Sequence, residues 1–200
     1  MSTASTKPTA PLAILIQWLL FTAFGCWSGL MLGSWLTPRI ANTLNGNEDS
    51  MFPYIVLLAL GVTLGVVQSV ALSRVLPAVK GWLRYTLMGF VGAMVVVAIA
   101  SSLGLGSAAG LLDDALLFAL LGAVIGLGQW RLLRQAFPQA WLWILATALG
   151  GLIFLQLAVT PAAETNEFVV RGTLYGLIAA LPAGLALAWL SRQFGSLARK

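Results

Sequence analysis

The chain contains no histidine. That absence removes the commonest haem and metal ligand and the side chain that titrates nearest neutral pH, so the usual general base is missing. Cysteine occurs once, as Cys26 inside an apolar run. One thiol excludes a disulfide framework, a CxxC redox pair and a thiolate metal cage, and leaves Cys26 as inert packing. Charge is scarce too: 8% of the 200 residues are Asp, Glu, Lys or Arg, whereas 60% are hydrophobic. So few polar side chains cannot cover a water-facing domain, and the solvent for most of the chain is lipid. The net charge of +5 does not point to nucleic acid, because the basic residues stand in short clusters between apolar runs.

What the chain does have is long apolar runs. A bilayer core about 30 Å thick needs roughly 20 apolar residues of helix. Spans are expected at Leu12–Leu36, Tyr54–Leu76, Trp82–Leu105, Ala115–Leu133, Trp141–Val159 and Phe168–Leu190. The first exceeds the roughly 7–15 residue core of a cleaved signal peptide and reads as a retained helix. The expected fold class is all-α integral membrane: one membrane domain over 1–200, six transmembrane helices, and tails at 1–10 and 191–200.

With six spans, both tails share a side. Lys7, Arg74, Lys80, Arg84, Arg131, Arg134, Arg192, Arg199 and Lys200 fall on that side, and Arg39 and Arg171 on the other. This positive-inside asymmetry places the tails in the cytoplasm of a bacterial plasma membrane or thylakoid. Trp18, Trp82, Trp130, Trp141, Trp143 and Trp189 are expected to form an aromatic belt at the same interface.

Shifting the chain by 61 residues aligns Leu60, Gly61, Gly65, Gln68, Leu72, Pro77, Trp82, Thr86 and Gly89 with Leu121, Gly122, Gly126, Gln129, Leu133, Pro138, Trp143, Thr147 and Gly150. Several of these identities are in rarer residue types, so this is an internal repeat. Odd-numbered helices carry W-x3-T-x2-G (Trp18, Thr22, Gly25 and its two copies), and even-numbered helices carry G-x3-G (Gly61, Gly122 and Gly172 each lead one). Spacings of i, i+4 and i+7 put each motif on one helix face.

Folding helix 2 on helix 3 about Pro77 pairs Leu72 with Trp82, Gln68 with Thr86 and Gly65 with Gly89. Folding helix 4 on helix 5 about Pro138 pairs Leu133 with Trp143, Gln129 with Thr147 and Gly126 with Gly150. Facing glycines allow close backbone approach, and a glutamine amide in hydrocarbon needs a polar partner. A third contact of helix 6 on helix 1 would set Gly176 against Gly25, Ala179 against Thr22 and Ala183 against Trp18, without a glutamine. The expected architecture is a closed six-helix ring with pseudo-threefold symmetry.

No carboxylate, lysine or arginine stands inside a span away from its ends, which argues against an ion-coupled transporter. Ser28 and Ser34 have no histidine to activate them, which argues against an intramembrane protease. Gln68 and Gln129 are the candidate intramembrane polar sites, read first as interhelical hydrogen bonds and second as side chains that point into a central cavity and touch a ligand, for example the central metal of a chlorophyll. Gly29 and Gly33 extend the small stripe of helix 1 and are candidates for docking a partner helix. Asp113 and Asp114 read as a solvated cap for helix 4. TPRIANTLNGNEDS is the longest polar stretch, with an Asn-Gly turn, and is expected to be a loop.

The segment GAVIGLGQWRLLRQAFPQAWLW resembles a repeat of small multi-pass bacterial membrane proteins, cyanobacterial ones among them, that have no assigned activity. There G-x3-G-x2-Q-W-x2-L precedes a basic turn and a tryptophan. The resemblance covers roughly Gly61–Gly151, with Ser69 in place of the first tryptophan in the copy on helix 2, and it implies an architecture only.

The function expected from these features is a non-enzymatic membrane subunit, an accessory, scaffold or assembly component of a larger membrane complex. Its partners would be membrane lipids and other membrane-protein subunits, with no nucleic acid. The alternative is a binding or carrier subunit for a neutral or amphipathic ligand such as a lipid, carotenoid or vitamin. No cofactor is required by either reading, and both leave room for a bound lipid or pigment.

Overall fold

The computed structural model describes residues 11–73, 81–104, 111–159 and 165–197, with the side chains of 111–114, 155–159 and 193–197 set aside. Among the described residues the chain forms six helices: α1 (Pro11–Leu44), α2 (Glu48–Ser73), α3 (Trp82–Ser102), α4 (Leu111–Leu133), α5 (Leu142–Val159) and α6 (Thr165–Leu197), with no strand. Five of them, all but α5, are long and apolar enough to cross a membrane, as in a multi-pass membrane protein. At 1.5 Å per residue α5 is about 27 Å long.

Each helix presents a stripe of exposed apolar side chains at helical spacing: Leu12, Ile16, Leu20 and Phe24 on α1, Val91, Val95 and Ile99 on α3, Trp141, Leu145 and Leu149 beside and on α5. In water such stripes would be an aggregation hazard; against acyl chains they are the expected surface. The opposite faces pack inward. Each helix packs on the next in sequence, and α6 returns to α1.

Three expectations are corrected. The polar stretch after span 1 is mostly helix, since α1 runs through Pro38 to Leu44. Around the donor that proline lacks, Thr37 Oγ1 donates to the Gly33 carbonyl at 2.8 Å and Arg39 Nη1 to the Trp35 carbonyl at 2.7 Å, which keeps neighbouring carbonyls partnered in the first turn beyond the apolar run. The turn itself is Asn45, left-handed at φ 50°, with Gly46 and Asn47. At the other end, α6 continues to Leu197 through most of the expected tail. Thirdly, Trp18, Trp82 and Trp143 do not join an interfacial belt but are buried in the interior, whereas Trp141 and Trp189 are exposed. The inward turn follows from the threonine and glycine sharing their helix face. Lys7, Arg74, Pro77, Lys80, Arg199 and Lys200 lie outside the described residues, as do the side chains of Asp113 and Asp114.

Helix α2 starts on a built cap. Asn47 Oδ1 accepts from the Asp49 N–H at 2.8 Å and the Ser50 N–H at 3.4 Å, with Glu48 and Asp49 in the first turn, where acidic charge complements the helix dipole. Asn47→Ala is expected to cost about 1 kcal/mol. Faster amide exchange at Asp49 and Ser50, with the rest of α2 unchanged, is the readout.

Between α4 and α5 the chain turns through Pro138. Phe137 N–H donates to the Leu133 carbonyl at 2.9 Å and Ala140 N–H to the Phe137 carbonyl at 3.2 Å. Phe137 and Ala140 are buried while Pro138 is exposed, so the turn plugs one end of the bundle with its own apolar side chains.

Candidate binding cavity and its polar end

The three buried tryptophans meet. Ring centroids lie 6.1 Å apart for Trp18 and Trp82, 5.8 Å for Trp82 and Trp143, and 5.3 Å for Trp18 and Trp143, with interplanar angles of 88°, 79° and 79°. Each pair is edge-to-face, the arrangement that sets a positive ring edge against a negative face. Leu72, Leu133 and Leu187 complete the same core cluster. Trp82 opens α3 and Trp143 is the second residue of α5, so the cluster sits at the end of the bundle where α3 and α5 begin.

Above it lie two matching hydrogen-bond chains. Trp82 Nε1 donates to Gln68 Oε1 at 3.1 Å, and Gln68 Nε2 donates to Thr22 Oγ1 at 3.2 Å. Trp143 Nε1 donates to Gln129 Oε1 at 2.8 Å, and Gln129 Nε2 donates to Thr86 Oγ1 at 3.1 Å. An indole N–H can only donate, which fixes the orientation of each amide: the oxygen must face the tryptophan and the nitrogen the threonine. Both glutamines are buried, and each ties three helices together, α1, α2 and α3 in one case and α3, α4 and α5 in the other.

This overturns the expected pairings. Gln68 reaches Thr22 rather than Thr86, and Gln129 reaches Thr86 rather than Thr147. The glycines likewise do not face one another. A side chain at Gly65 would meet Leu83 and Thr86, but one at Gly89 would meet Ile125 of α4; Gly126 faces Thr147 and Ile144, but Gly150 faces Ala179 of α6; Gly25 faces Leu64 of α2, and Gly176 faces Cys26. Folding about a proline fixes depth but not azimuth. The two motifs of a hairpin share a depth, yet the odd helix turns its glycine face to the following even helix. Gly29 and Gly33 are not free for a partner either, because Leu60 and Thr63 cover the first and Val56 the second.

On α6, Gly176 packs on Cys26, the neighbour of the expected Gly25, and Gly184 touches Leu15 and Trp18, while Ala183 joins Trp18 in the core cluster as expected. Leu72 and Trp82, and Leu133 and Trp143, do come together in the core cluster.

A cavity of about 230 Å³ opens beside the glutamines and is lined from all six helices. Its lining combines large apolar side chains, among them Leu60, Leu64, Phe90, Phe118 and Ile125, with small residues that include Cys26, Gly150, Gly176, Ala179 and Ala183. Trp18, Thr22, Gln68, Gln129, Trp143 and Thr147 close its polar end. Sequence reasoning found the glutamines, with a central cavity beside them as its second reading, but missed the role of Trp18. The signal available was the run of small residues on α6 with no glutamine among them. No protein-family model, curated protein or solved structure matches the chain.

Proposed function

We propose that this protein is a non-enzymatic binding or carrier component that holds a neutral, largely apolar ligand within the membrane bundle. The cavity carries this reading. Helix bundles are otherwise close-packed, and a mostly apolar pocket with a few convergent polar groups is the usual form of a small-molecule site. Its charge-free lining selects against ions and for molecules that partition into lipid.

The six helices close into a ring with pseudo-threefold symmetry, both tails on the cytoplasmic side with most of the basic residues. Three sets of contacts support that symmetry: Gly61 with Phe90, Gly122 with Gly151 and Gly176 with Cys26; Gly25 with Leu64, Gly89 with Ile125 and Gly150 with Ala179; and the leucines Leu72, Leu133 and Leu187 in one cluster. In this register the third segment has Ala179 where the others have Leu64 and Ile125, and Ala183 where they have Gln68 and Gln129, and both alanines line the cavity. The third segment thus leaves volume there that the other two fill. The scaffold reading falls to second place, since α2 already covers the glycine face it relied on.

Purification in mild detergent followed by organic extraction is expected to yield one small neutral molecule per chain. Ala179→Leu restores the bulk present in the other two segments and is expected to abolish retention without loss of thermal stability. Extracts of the folded wild-type protein that hold no such molecule, together with failure of small apolar probes to bind, would sink the proposal.

A further inference from the structure

In the proposed threefold register, Ala183 occupies the position of Gln68 and Gln129. A glutamine there would take the Trp18 N–H on its oxygen and offer its nitrogen to Thr147. Neither residue has the bond that its counterparts make. Trp18 is 4% exposed and its Nε1 has no hydrogen-bond acceptor, whereas Trp82 and Trp143 both have one. Thr147 Oγ1 donates back to the Trp143 carbonyl at 2.9 Å and receives no donor, whereas Thr22 and Thr86 each receive an amide N–H. Trp18, Thr147 and Ala183 all line the same cavity.

We infer that the cavity recognises its ligand through a carboxamide, or a like neutral group pairing an acceptor with a donor, that takes the place of the missing third glutamine: its carbonyl oxygen accepts from Trp18 Nε1 and its N–H reaches Thr147 Oγ1. This rests on the reading of the cavity as a binding site and adds its polar selectivity. A buried indole N–H without an acceptor is a standing cost that an apolar ligand does not relieve and a carbonyl does. The two occupied nodes set the chemistry, because both already hold a carboxamide between a tryptophan and a threonine. A carboxylate is disfavoured, since no cation faces the cavity.

The test is indole ¹H–¹⁵N NMR of the full chain in detergent micelles, where Trp18 is assigned among the eight tryptophans by Trp18→Phe. Heptanamide is titrated against octane, which matches its length without the polar group. Heptanamide is expected to move the Trp18 indole resonance downfield and saturably, and octane to leave it in place. Ala183→Gln is expected to produce that shift with no probe present and to remove the response to heptanamide. Trp18→Phe keeps an apolar ring and is expected to weaken heptanamide binding about tenfold more than it changes octane binding. Saturable perturbation of Trp143 or the Thr147 methyl by either probe, with the Trp18 indole unmoved or moved equally by octane, overturns the carboxamide assignment and leaves the cavity reading intact. No saturable response of any cavity residue to either probe overturns both.

Discussion

Gly122→Val is expected to prevent α4 from packing on α5. A Cβ at Gly122 would press into the Thr147 backbone carbonyl and come within 3.1 Å of the Ala148 Cα. Backbone cannot step aside by changing a rotamer, so the helices must separate, at a cost of about 3 kcal/mol or more. Gly92→Ala is the matched control: its Cβ would meet only the Val124 Cγ1 methyl at 2.8 Å, and a side chain can turn away. The measurement is the fraction of each variant that elutes as a single folded species in mild detergent, with its thermal midpoint. Near-wild-type behaviour of Gly122→Val would mean that the two backbones do not touch there.

Gln129→Leu is the second large effect. Leucine nearly matches the volume but strands the Trp143 N–H, which is buried with the 0% exposed indole, and removes the donor to Thr86. The expected loss is about 1–3 kcal/mol, at the upper end of interhelical hydrogen bonds in membranes. Adding Trp143→Phe removes the stranded donor, so the double variant should be less destabilised than the sum of the singles by about 1 kcal/mol in reversible unfolding. Trp18→Phe, whose indole has no glutamine to lose, provides the baseline for the loss of ring size. Additivity between Gln129 and Trp143 would remove the hydrogen bond from the account.

The helices and their apolar runs were legible because length and hydropathy decide them, and Gln68 and Trp82 could be matched with Gln129 and Trp143 because glutamine and tryptophan are rare in apolar helices. Helix ends were less so: α1 and α6 run on past the lipid-soluble stretch, where Thr37 and Arg39 keep the backbone partnered around Pro38. Azimuth was the main loss. Gly65 and Gly89 share a depth, but period alone cannot tell which neighbour each faces, and a helix in a bundle has two neighbours. The contacts of α6 were less legible for a related reason. With no glutamine to mark them they were placed from Gly172 and Gly176 alone, whereas the structure sets Gly176 on Cys26 and Gly184 on Leu15 and Trp18 and brings Leu187 into the tryptophan cluster. A central cavity was legible only as the second reading of the glutamines, since it arises from what small side chains fail to fill across three helices.

The two glutamine chains have a direction. Each amide nitrogen looks back to a threonine on an earlier helix, and each amide oxygen looks forward to a tryptophan on a later one. A chain inserted from its N-terminus therefore brings every glutamine into the lipid with one partner already waiting, and the next helix to arrive locks it. Synthesis order and bonding order coincide, so a nascent chain halted after α2 would hold Gln68 by its threonine alone, and one halted after α4 would hold Gln129 in the same way.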